Sequence, residues 1–191
     1  MNEKVLVLNG GSAAEPLCEL ERHLMEASSS CGCNARVMRL WEMSIAPCLG
    51  CFGCWTKTPG MCVIDDDARD VTQEMIRSGV VVFLTPVVFG GYSPELKGAL
   101  DRSIVLISPL FERIHGEIHH KKRYAEYPRL LGIGVQQGIN KEEAAIFDTL
   151  VHRNAINFHS PKTVVQIIDQ RSDPALINST VERAFREVSA E

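Results

Sequence analysis

The sequence has little of what marks membrane and nucleic-acid-binding proteins. None of its apolar runs is long enough to span a bilayer, and the run at residues 4–8 lacks the flanks of a signal peptide. Apart from Lys121-Lys122-Arg123 there is no basic stripe, and the net charge of −4 gives no electrostatic footprint for nucleic acid. No internal repeat or low-complexity segment occurs. We therefore expect neither membrane nor nucleic-acid partners.

The composition is otherwise ordinary for a globular protein. Apolar residues make up 45% and charged residues 23% of the 191 positions, enough for one buried core. We predict a single domain over residues 1–191, with an irregular insertion at about 108–128. The seven cysteines are an odd number in a chain without a leader, which favours a reducing compartment and a cytoplasmic location.

Short apolar runs alternate with amphipathic segments along the chain. Five runs predict strands, at residues 4–9, 35–40, 80–84, 130–135 and 163–168. Helices are predicted at residues 15–27, with Pro16 in the first turn, then at 66–77, 94–107 and 140–157, and after residue 173. Such alternation favours a three-layer, doubly wound α/β domain with a five-stranded parallel sheet.

The order of these elements predicts where a ligand binds. Five strands fit the flavodoxin-like order 2-1-3-4-5, in which ligands bind where strands one and three diverge. The loops at residues 9–15, 85–92 and 135–140 would gather at that edge of the sheet.

Four cysteines are clustered after the second predicted strand. Cys48, Cys51, Cys54 and Cys62 are separated by two, two and seven residues, and the glycines between them permit tight turns. This pattern suits the ligands of a [4Fe–4S] cluster. Three alternatives stay open: packing thiols in a loop, a zinc site, for which the spacing is a weaker fit, and a redox pair of Cys51 and Cys54.

Two glycine-containing loops lie at the predicted ligand edge. Gly10, Gly11 and Ser12 lead from a strand into a helix, where free amides and the helix dipole can bind phosphate, although a plain tight turn explains them equally. They match neither the dinucleotide fingerprint nor a P-loop. The loop at residues 85–93 has a proline, two glycines and the aromatic Phe89 and Tyr92. It suits one side of a planar heterocycle.

Three motifs carry a resemblance to a known family: residues 5–10 (Val-Leu-Val-Leu-Asn-Gly), residues 48–55 (Cys-Leu-Gly-Cys-Phe-Gly-Cys-Trp) with 60–66, and residues 85–93 (Thr-Pro-Val-Val-Phe-Gly-Gly-Tyr-Ser) with 96–102. Together they resemble the NADPH-dependent FMN reductase family over about residues 4–137, and most closely its iron–sulfur flavoproteins. The resemblance implies a flavodoxin-like fold, FMN at the switch point, homo-oligomerisation as a dimer or tetramer, and electron transfer from NAD(P)H to a small-molecule or protein acceptor.

The resemblance also implies roles for individual residues. Gly11 and Ser12 would meet the FMN phosphate, and Cys48, Cys51, Cys54 and Cys62 would ligate the cluster. The isoalloxazine would be flanked by Pro86, Val87, Val88, Phe89, Gly90 and Gly91. From topology, the amide of Gln136 would reach the pyrimidine edge of the flavin. No catalytic side chain is predicted, because the flavin performs the hydride chemistry itself.

The chain departs from the family pattern at two places. The family's hydroxyl-rich phosphate loop is replaced by Ala13-Ala14-Glu15, and the gap before Cys62 is long. Losing two or three charge-assisted hydrogen bonds, each worth roughly 1.5–3 kcal/mol, would weaken FMN binding by several decades. The alternative function is therefore a flavodoxin-like scaffold that has lost its cofactor and acts as a binding protein or thiol sensor.

Other cysteines and histidines are predicted to be structural. Cys18 is expected in the core of the first helix, and Cys31 and Cys33 in a loop. His115 and His119 are four apart, but Gly116 interrupts a helix there, which favours solvated histidines over a metal pair.

Overall fold

The computed structural model of the chain describes residues 3–15, 17–114 and 116–190. The predicted first-turn residue Pro16, and His115 of the possible histidine pair, lie outside these residues.

A five-stranded parallel sheet forms the centre of the fold, in the order β2-β1-β3-β6-β7. Its strands are β1 (Lys4–Asn9), β2 (Asn34–Arg39), β3 (Val80–Pro86), β6 (Arg129–Gln136) and β7 (Thr163–Asp169). The two remaining strands, β4 (Ile107–Ile114) and β5 (Glu117–Lys122), form a separate antiparallel hairpin. With the hairpin set aside, the order is the predicted 2-1-3-4-5, and the flavodoxin-like fold is confirmed.

Helices cover both faces of this sheet. They are α1 (Cys18–Ser30), α2 (Gly53–Thr56), α3 (Ala68–Arg77), α4 (Pro94–Arg102), α5 (Lys141–Asn157) and α6 (Pro174–Ser189). One core joins α1 and α6 to Val5 and Val7, and the other joins α3, α4 and α5 to Leu6 and Leu8. Because successive strand residues point to opposite faces, β1 must be apolar from residue 5 to residue 8 to serve both cores.

The first helix starts three residues later than predicted. The backbones of Ser12 and Glu15 donate to each other at 3.0 and 3.1 Å and close a turn, and Leu17 then takes a left-handed φ of 53°. The helix begins at Cys18, which is exposed rather than in the core as predicted. The core-facing positions of α1 are Leu20, Leu24 and Ala27, one helical face to which its first residue does not belong.

The segment predicted as irregular contains the β4–β5 hairpin. Its His119 is buried instead of solvated: Nδ1 lies 2.9 Å from Oδ1 of Asn157, and Nε2 lies 3.1 Å from a carboxylate oxygen of Glu117. The alternation of this strand points His119 toward α5, which explains the burial.

Within the described ranges, none of the helices is both long and apolar enough to cross a bilayer.

Candidate functional site

The β1–α1 loop folds back on itself where a phosphate was predicted. The amide of Gly11 donates to Oδ1 of Asn9 at 2.9 Å, and the amide of Glu15 donates to both the carbonyl and the hydroxyl oxygen of Ser12 at 3.1 Å. The amides of Gly11, Ser12 and Glu15 are thus all bonded within the loop. A phosphate can accept from them only if the Ser12–Glu15 turn opens and Asn9 releases the amide of Gly11.

The β3–α4 loop ends in a tight, exposed turn. Val88 and Gly91 exchange backbone hydrogen bonds of 3.0 and 2.8 Å, with Phe89 and Gly90 between them at φ values of 50° and 77°. The Phe89 side chain is 90% exposed. A bulky residue held left-handed costs about 1–3 kcal/mol, and such strain is concentrated at ligand sites. This turn therefore presents an aromatic ring that no core contact explains.

Tyr92 does not provide the aromatic surface predicted for this loop. Its ring is buried between Phe83 and Phe147 in edge-to-face contacts, and its hydroxyl accepts a hydrogen bond from Asn154 at 2.9 Å. Burial raises its pKa to about 12, although the bond from Asn154 opposes that effect. Its ring is a core element that leaves Phe89 as the loop's exposed aromatic.

The first residues of the same loop are anchored to the neighbouring strand. Pro86 ends β3, and the amide of Val87 donates to the carbonyl of Val135 at 2.9 Å. The position a Cβ would take on Gly134 lies 2.7 Å from Val87, so Val87 packs directly over this glycine. From this rigid base Val88 and Phe89 extend to the surface at the sheet edge, whereas Gly90 is buried against Ile146 of α5.

The Gln136 side chain is engaged with the start of α5. Its amide nitrogen donates to Glu143 at 3.4 Å, and its amide oxygen accepts from the amide of Asn140 at 3.2 Å. Gln136 is the last residue of β6, next to β3. The topology thus brings the predicted flavin residues of β1, β3 and β6 to the same edge of three adjacent strands, while Gln136 would have to exchange partners to reach a ligand.

The four clustered cysteines line one small surface cavity, of about 30 Å³, together with Phe52, Arg102 and Val105. We call this the thiol cavity. Cys48 and Cys51 are exposed, Cys62 is half-buried and Cys54 is buried. Burial raises the pKa of the Cys54 thiol, and the nearby Cys62, Cys48 and Cys51 raise it further. The thiols are therefore close enough to influence one another electrostatically.

No group of three or more histidine, cysteine or carboxylate side chains in the described part of the chain converges as on a single metal ion. This weighs against the zinc alternative, in which four donors surround one ion. A [4Fe–4S] cluster instead takes one thiolate at each of four irons, so its ligands stand apart around a cavity. Four thiols around one cavity fit that requirement.

A buried ion pair holds the two ends of residues 46–66, which we call the thiol segment. Arg102, at the end of α4, donates to both carboxylate oxygens of Asp66 at 2.7 and 2.9 Å and to the carbonyl of Ala46 at 2.6 Å. Asp66 also accepts from the amide of Ala46 at 2.9 Å. Burial acts to raise the pKa of Asp66, but the hydrogen bonds from Arg102 and Ala46 outweigh it and hold the pKa below its usual value.

The middle of the segment is held by Trp55 of α2. Its indole nitrogen donates to the carbonyls of Ile104 and Ile107 at 3.2 and 3.1 Å. Its ring stacks on Phe52 and contacts His120 of the hairpin. The thiol segment is thereby attached to the chain that leads from α4 into β4.

A family model described as NADPH-dependent FMN reductase matches residues 4–145. The matched segment contains both the sheet edge and the thiol cavity. The chain belongs to this family. The fold, the position of the three loops and the clustered thiols are consistent with that membership.

Curated proteins that match part of the chain include two that are named iron–sulfur flavoproteins. An iron–sulfur flavoprotein from Methanocaldococcus jannaschii is 32% identical over 101 residues, covering 52% of this chain and 51% of that protein. Another from Methanosarcina thermophila is 29% identical over 82 residues, covering 43% and 42%. The chain spans about half the length of these relatives or less.

Solved structures share the whole fold. An NAD(P)H:quinone oxidoreductase from Methanothermobacter marburgensis superposes with a TM-score of 0.70 at 13% identity, over 100% of this chain and 98% of that one. An FMN-dependent NADH-azoreductase from Bacillus anthracis gives a TM-score of 0.60 at 14% identity, over 99% and 98%. At this identity the likeness concerns the fold alone.

Sequence reasoning missed the part that Arg102 and Asp66 play in this family member. The helix predicted at 66–77 includes Asp66 and Asp67, but α3 begins at Ala68, Asp66 pairs with Arg102, and Asp67 accepts from the amide of Ser44 at 2.6 Å. The sequence held one signal for this pair. Arg102 stands just before the apolar residues 104–106, and an arginine that is buried among apolar residues needs a partner for its charge.

Proposed function

We propose that this chain is an FMN-dependent NAD(P)H oxidoreductase that passes electrons to a quinone, a flavin or a protein acceptor. The observation that carries the proposal is the gathering of the loops after β1, β3 and β6 at one sheet edge, within the segment that the family model matches. In doubly wound sheets, ligands bind at such an edge.

Each loop would have a distinct task at this site. The amides of Gly11 and Ser12 would bind the phosphate after Asn9 releases Gly11 and the Ser12–Glu15 turn opens. Pro86, Val87, Val88, Phe89, Gly90 and Gly91 would line one side of the isoalloxazine, with Phe89 excluding water from it. Gln136 would turn from Glu143 toward the pyrimidine edge. When bound, FMN supplies the chemistry, by taking two electrons from NAD(P)H and passing them on.

The thiol cavity would hold a [4Fe–4S] cluster through Cys48, Cys51, Cys54 and Cys62. What supports this is the single cavity that the four thiols share and the rigid Asp66–Arg102 pair behind it. Such a cluster carries one electron at a time, which suits transfer to a protein or quinone acceptor.

A homo-oligomer, either a dimer or a tetramer, is proposed from the apolar side chains beside this cavity. Leu49 and Phe52 on the thiol segment, and Leu110, Phe111 and Ile118 on the hairpin, are each more than half exposed. Ring contacts running from Phe52 through Trp55 and His120 to Phe111 connect the two groups. A continuous apolar surface of this kind is typical of an interface between proteins.

We further propose a single domain in which residues 108–128 are an insertion, and a cytoplasmic location. The cysteines support the location, because the described cysteines form no disulfide.

The proposal is tested on protein purified without oxygen, by its absorption spectrum and by assays of FMN, iron and sulfide. We expect bound FMN and oxidation of NAD(P)H with a quinone acceptor. Phe89→Ala should weaken FMN binding at least tenfold. Leu176→Ala is the control and should leave binding unchanged, because it also truncates an exposed apolar side chain but lies in α6, beyond the outer strand β7. A wild-type protein that neither contains nor takes up FMN would contradict the proposal.

A specific observation favours a second function, a scaffold or thiol sensor without FMN. The Ser12–Glu15 turn occupies its own amides, and Ala13 and Ala14 offer no hydroxyl to a phosphate. A colourless protein that binds no FMN but whose thiols oxidise reversibly is the outcome expected of that function.

A further inference from the structure

Arg102 lines the thiol cavity and, among the residues that the structure describes, has one buried nitrogen without a hydrogen-bond partner. Its side chain is fully buried, and its two terminal nitrogens are used by Asp66 and Ala46. The remaining nitrogen, Nε, makes no hydrogen bond to a described residue, and the Cys62 thiol is the neighbouring sulfur that interacts with this side chain. Nine in ten buried polar groups or more are satisfied in folded proteins, so an unsatisfied arginine N–H calls for an explanation.

The surroundings of Arg102 indicate what that N–H could meet. The cavity it lines is otherwise bounded by Cys48, Cys51, Cys54 and Cys62 and by apolar side chains. The four thiols are the side-chain acceptors that this cavity offers, because its other lining side chains are apolar. An acceptor for the Nε–H in this cavity would therefore be a sulfur.

We propose that Arg102 donates its Nε–H to a sulfur of the group bound by the four cysteines and thereby raises that group's reduction potential. This inference rests on the proposed cluster. Reduction adds a negative charge to the sulfurs and irons, and a directed N–H in a low-dielectric wall stabilises the reduced state more than the oxidised one. Hydrogen bonds to cluster sulfurs are among the main determinants of such potentials.

Because Arg102 is paired with Asp66, its effect on the reduction potential comes from the hydrogen bond and not from a net charge. Asp66 is itself nine-tenths buried and neutralises the guanidinium, so the pair as a whole adds little charge to the cavity. It fixes the plane of the guanidinium through two hydrogen bonds and leaves Nε in place. Asp66 is thus the positioning residue for this donor.

The test compares variants that remove the Nε donor in two ways. Arg102→Lys keeps a cation for Asp66 but has no donor at that position. The double variant Asp66→Asn with Arg102→Met removes both charges together, so that no buried charge is left alone, and it keeps the experiment informative if the lysine variant folds poorly.

Arg69→Lys is the matched control. Arg69 also holds the thiol segment, by donating to the carbonyl of Cys62 at 3.1 Å and to Asp65 at 2.7 Å, but it lines a separate pocket on the side of α3. It therefore tests whether loosening the segment alone changes the potential.

Each protein is reconstituted with iron and sulfide without oxygen, assayed for iron, sulfide and FMN, and titrated for its midpoint potential by visible and electron paramagnetic resonance spectroscopy. We expect the equilibrium constant for reduction to be at least tenfold smaller in both Arg102 variants than in the wild type. For a one-electron couple this lowers the midpoint potential by about 59 mV. Arg69→Lys should match the wild type.

Two results would overturn it. Equal midpoint potentials in the wild type and both Arg102 variants would refute the hydrogen bond while leaving the cluster intact. A wild type that takes up no iron and sulfide would refute the cluster and this inference together, and its FMN content would show separately whether the oxidoreductase proposal stands.

Discussion

At the scale of single residues, Phe89 and Tyr92 show how one loop separates binding surface from core. Three residues apart, one is 90% exposed in a left-handed conformation and the other is packed between two phenylalanines. The strain at Phe89 is tolerated because Val87 and Gly91 fix the turn on either side. The ring is thus held at the sheet edge without support from the core.

Replacing Phe89 by glycine should separate this strain from binding. The left-handed conformation costs roughly 1–2 kcal/mol for an L-residue, whereas the extra chain entropy of glycine costs roughly 0.5–1 kcal/mol. We expect the free energy of unfolding in urea to be unchanged or up to ~1 kcal/mol higher.

Phe111→Gly is the control, because Phe111 is also exposed but lies in a strand with extended backbone. That variant should lose stability, since glycine weakens a strand. Equal destabilisation by both variants would show that no strain is stored at Phe89.

Tyr92 should make stability depend on pH in the alkaline range. Its folded pKa of about 12 lies above the unfolded value near 10, so its stabilising contribution is present below pH 10 and is lost as the pH rises toward 12. The full loss is about 3 kcal/mol.

Tyr92→Phe removes this dependence and also the bond from Asn154, which is worth about 1 kcal/mol. Urea unfolding at pH 8 should show the variant less stable than the wild type, and the difference should shrink or reverse near pH 11. A constant difference across this range would contradict the assignment.

At the scale of elements, the approach of α4 to β1 depends on one small residue. A Cβ on Gly10 would lie 2.7 Å from Cβ of Leu96 and 2.8 Å from the hydroxyl oxygen of Ser93. That hydroxyl caps α4 by accepting from the amide of Leu96 at 3.2 Å. The helix that delivers Arg102 to the thiol cavity is thus seated against the end of β1.

Gly10→Ala should therefore lower the free energy of unfolding by about 1–3 kcal/mol, because the added methyl group displaces the α4 cap. Gly98→Ala, on the same helix, is the matched control: nothing lies within 4 Å of its Cβ position. It should gain up to ~1 kcal/mol from helix propensity. Denaturant unfolding measures the free energy of unfolding of both variants. Destabilisation by Gly98→Ala would contradict the explanation that Gly10→Ala acts through the close contact between Gly10 and α4.

At the scale of the whole molecule, binding at the shared sheet edge should stabilise the entire fold. The strands that would contact FMN are the three central ones, which both cores cover. A ligand that binds only the folded state therefore stabilises the domain as a unit.

FMN at about one hundred times its dissociation constant should add about 2.7 kcal/mol, or roughly 5–10 °C in the melting temperature of a chain of this size. Riboflavin, which lacks the phosphate, is the matched ligand. Riboflavin should raise the melting temperature less than FMN does if Gly11 and Ser12 bind the phosphate. It should raise the melting temperature by the same amount as FMN if the Ser12–Glu15 turn stays closed. No shift with FMN would contradict the proposed function.

Prediction from sequence was most successful where the signal was local or followed from topology. The five strands of the parallel sheet were found within two residues, because runs such as 80–84 are apolar on both faces only in a covered parallel sheet. The two strands of the hairpin were missed. The start of α1 was missed, since a backbone turn between Ser12 and Glu15 has no side-chain periodicity. The burial of Tyr92 and His119 was missed because both lie in segments without regular spacing.

The sequence by itself determined the order of the elements, the parallel sheet and the edge at which its loops meet. Hydrophobic periodicity and the handedness of crossovers leave few other arrangements. Only the tertiary structure decided which polar groups are buried as partners. Arg102 and Asp66 are 36 residues apart, and nothing in either segment specifies the other. Their pairing depends on where α4 and the thiol segment meet in space, which is settled by packing between elements and not within them.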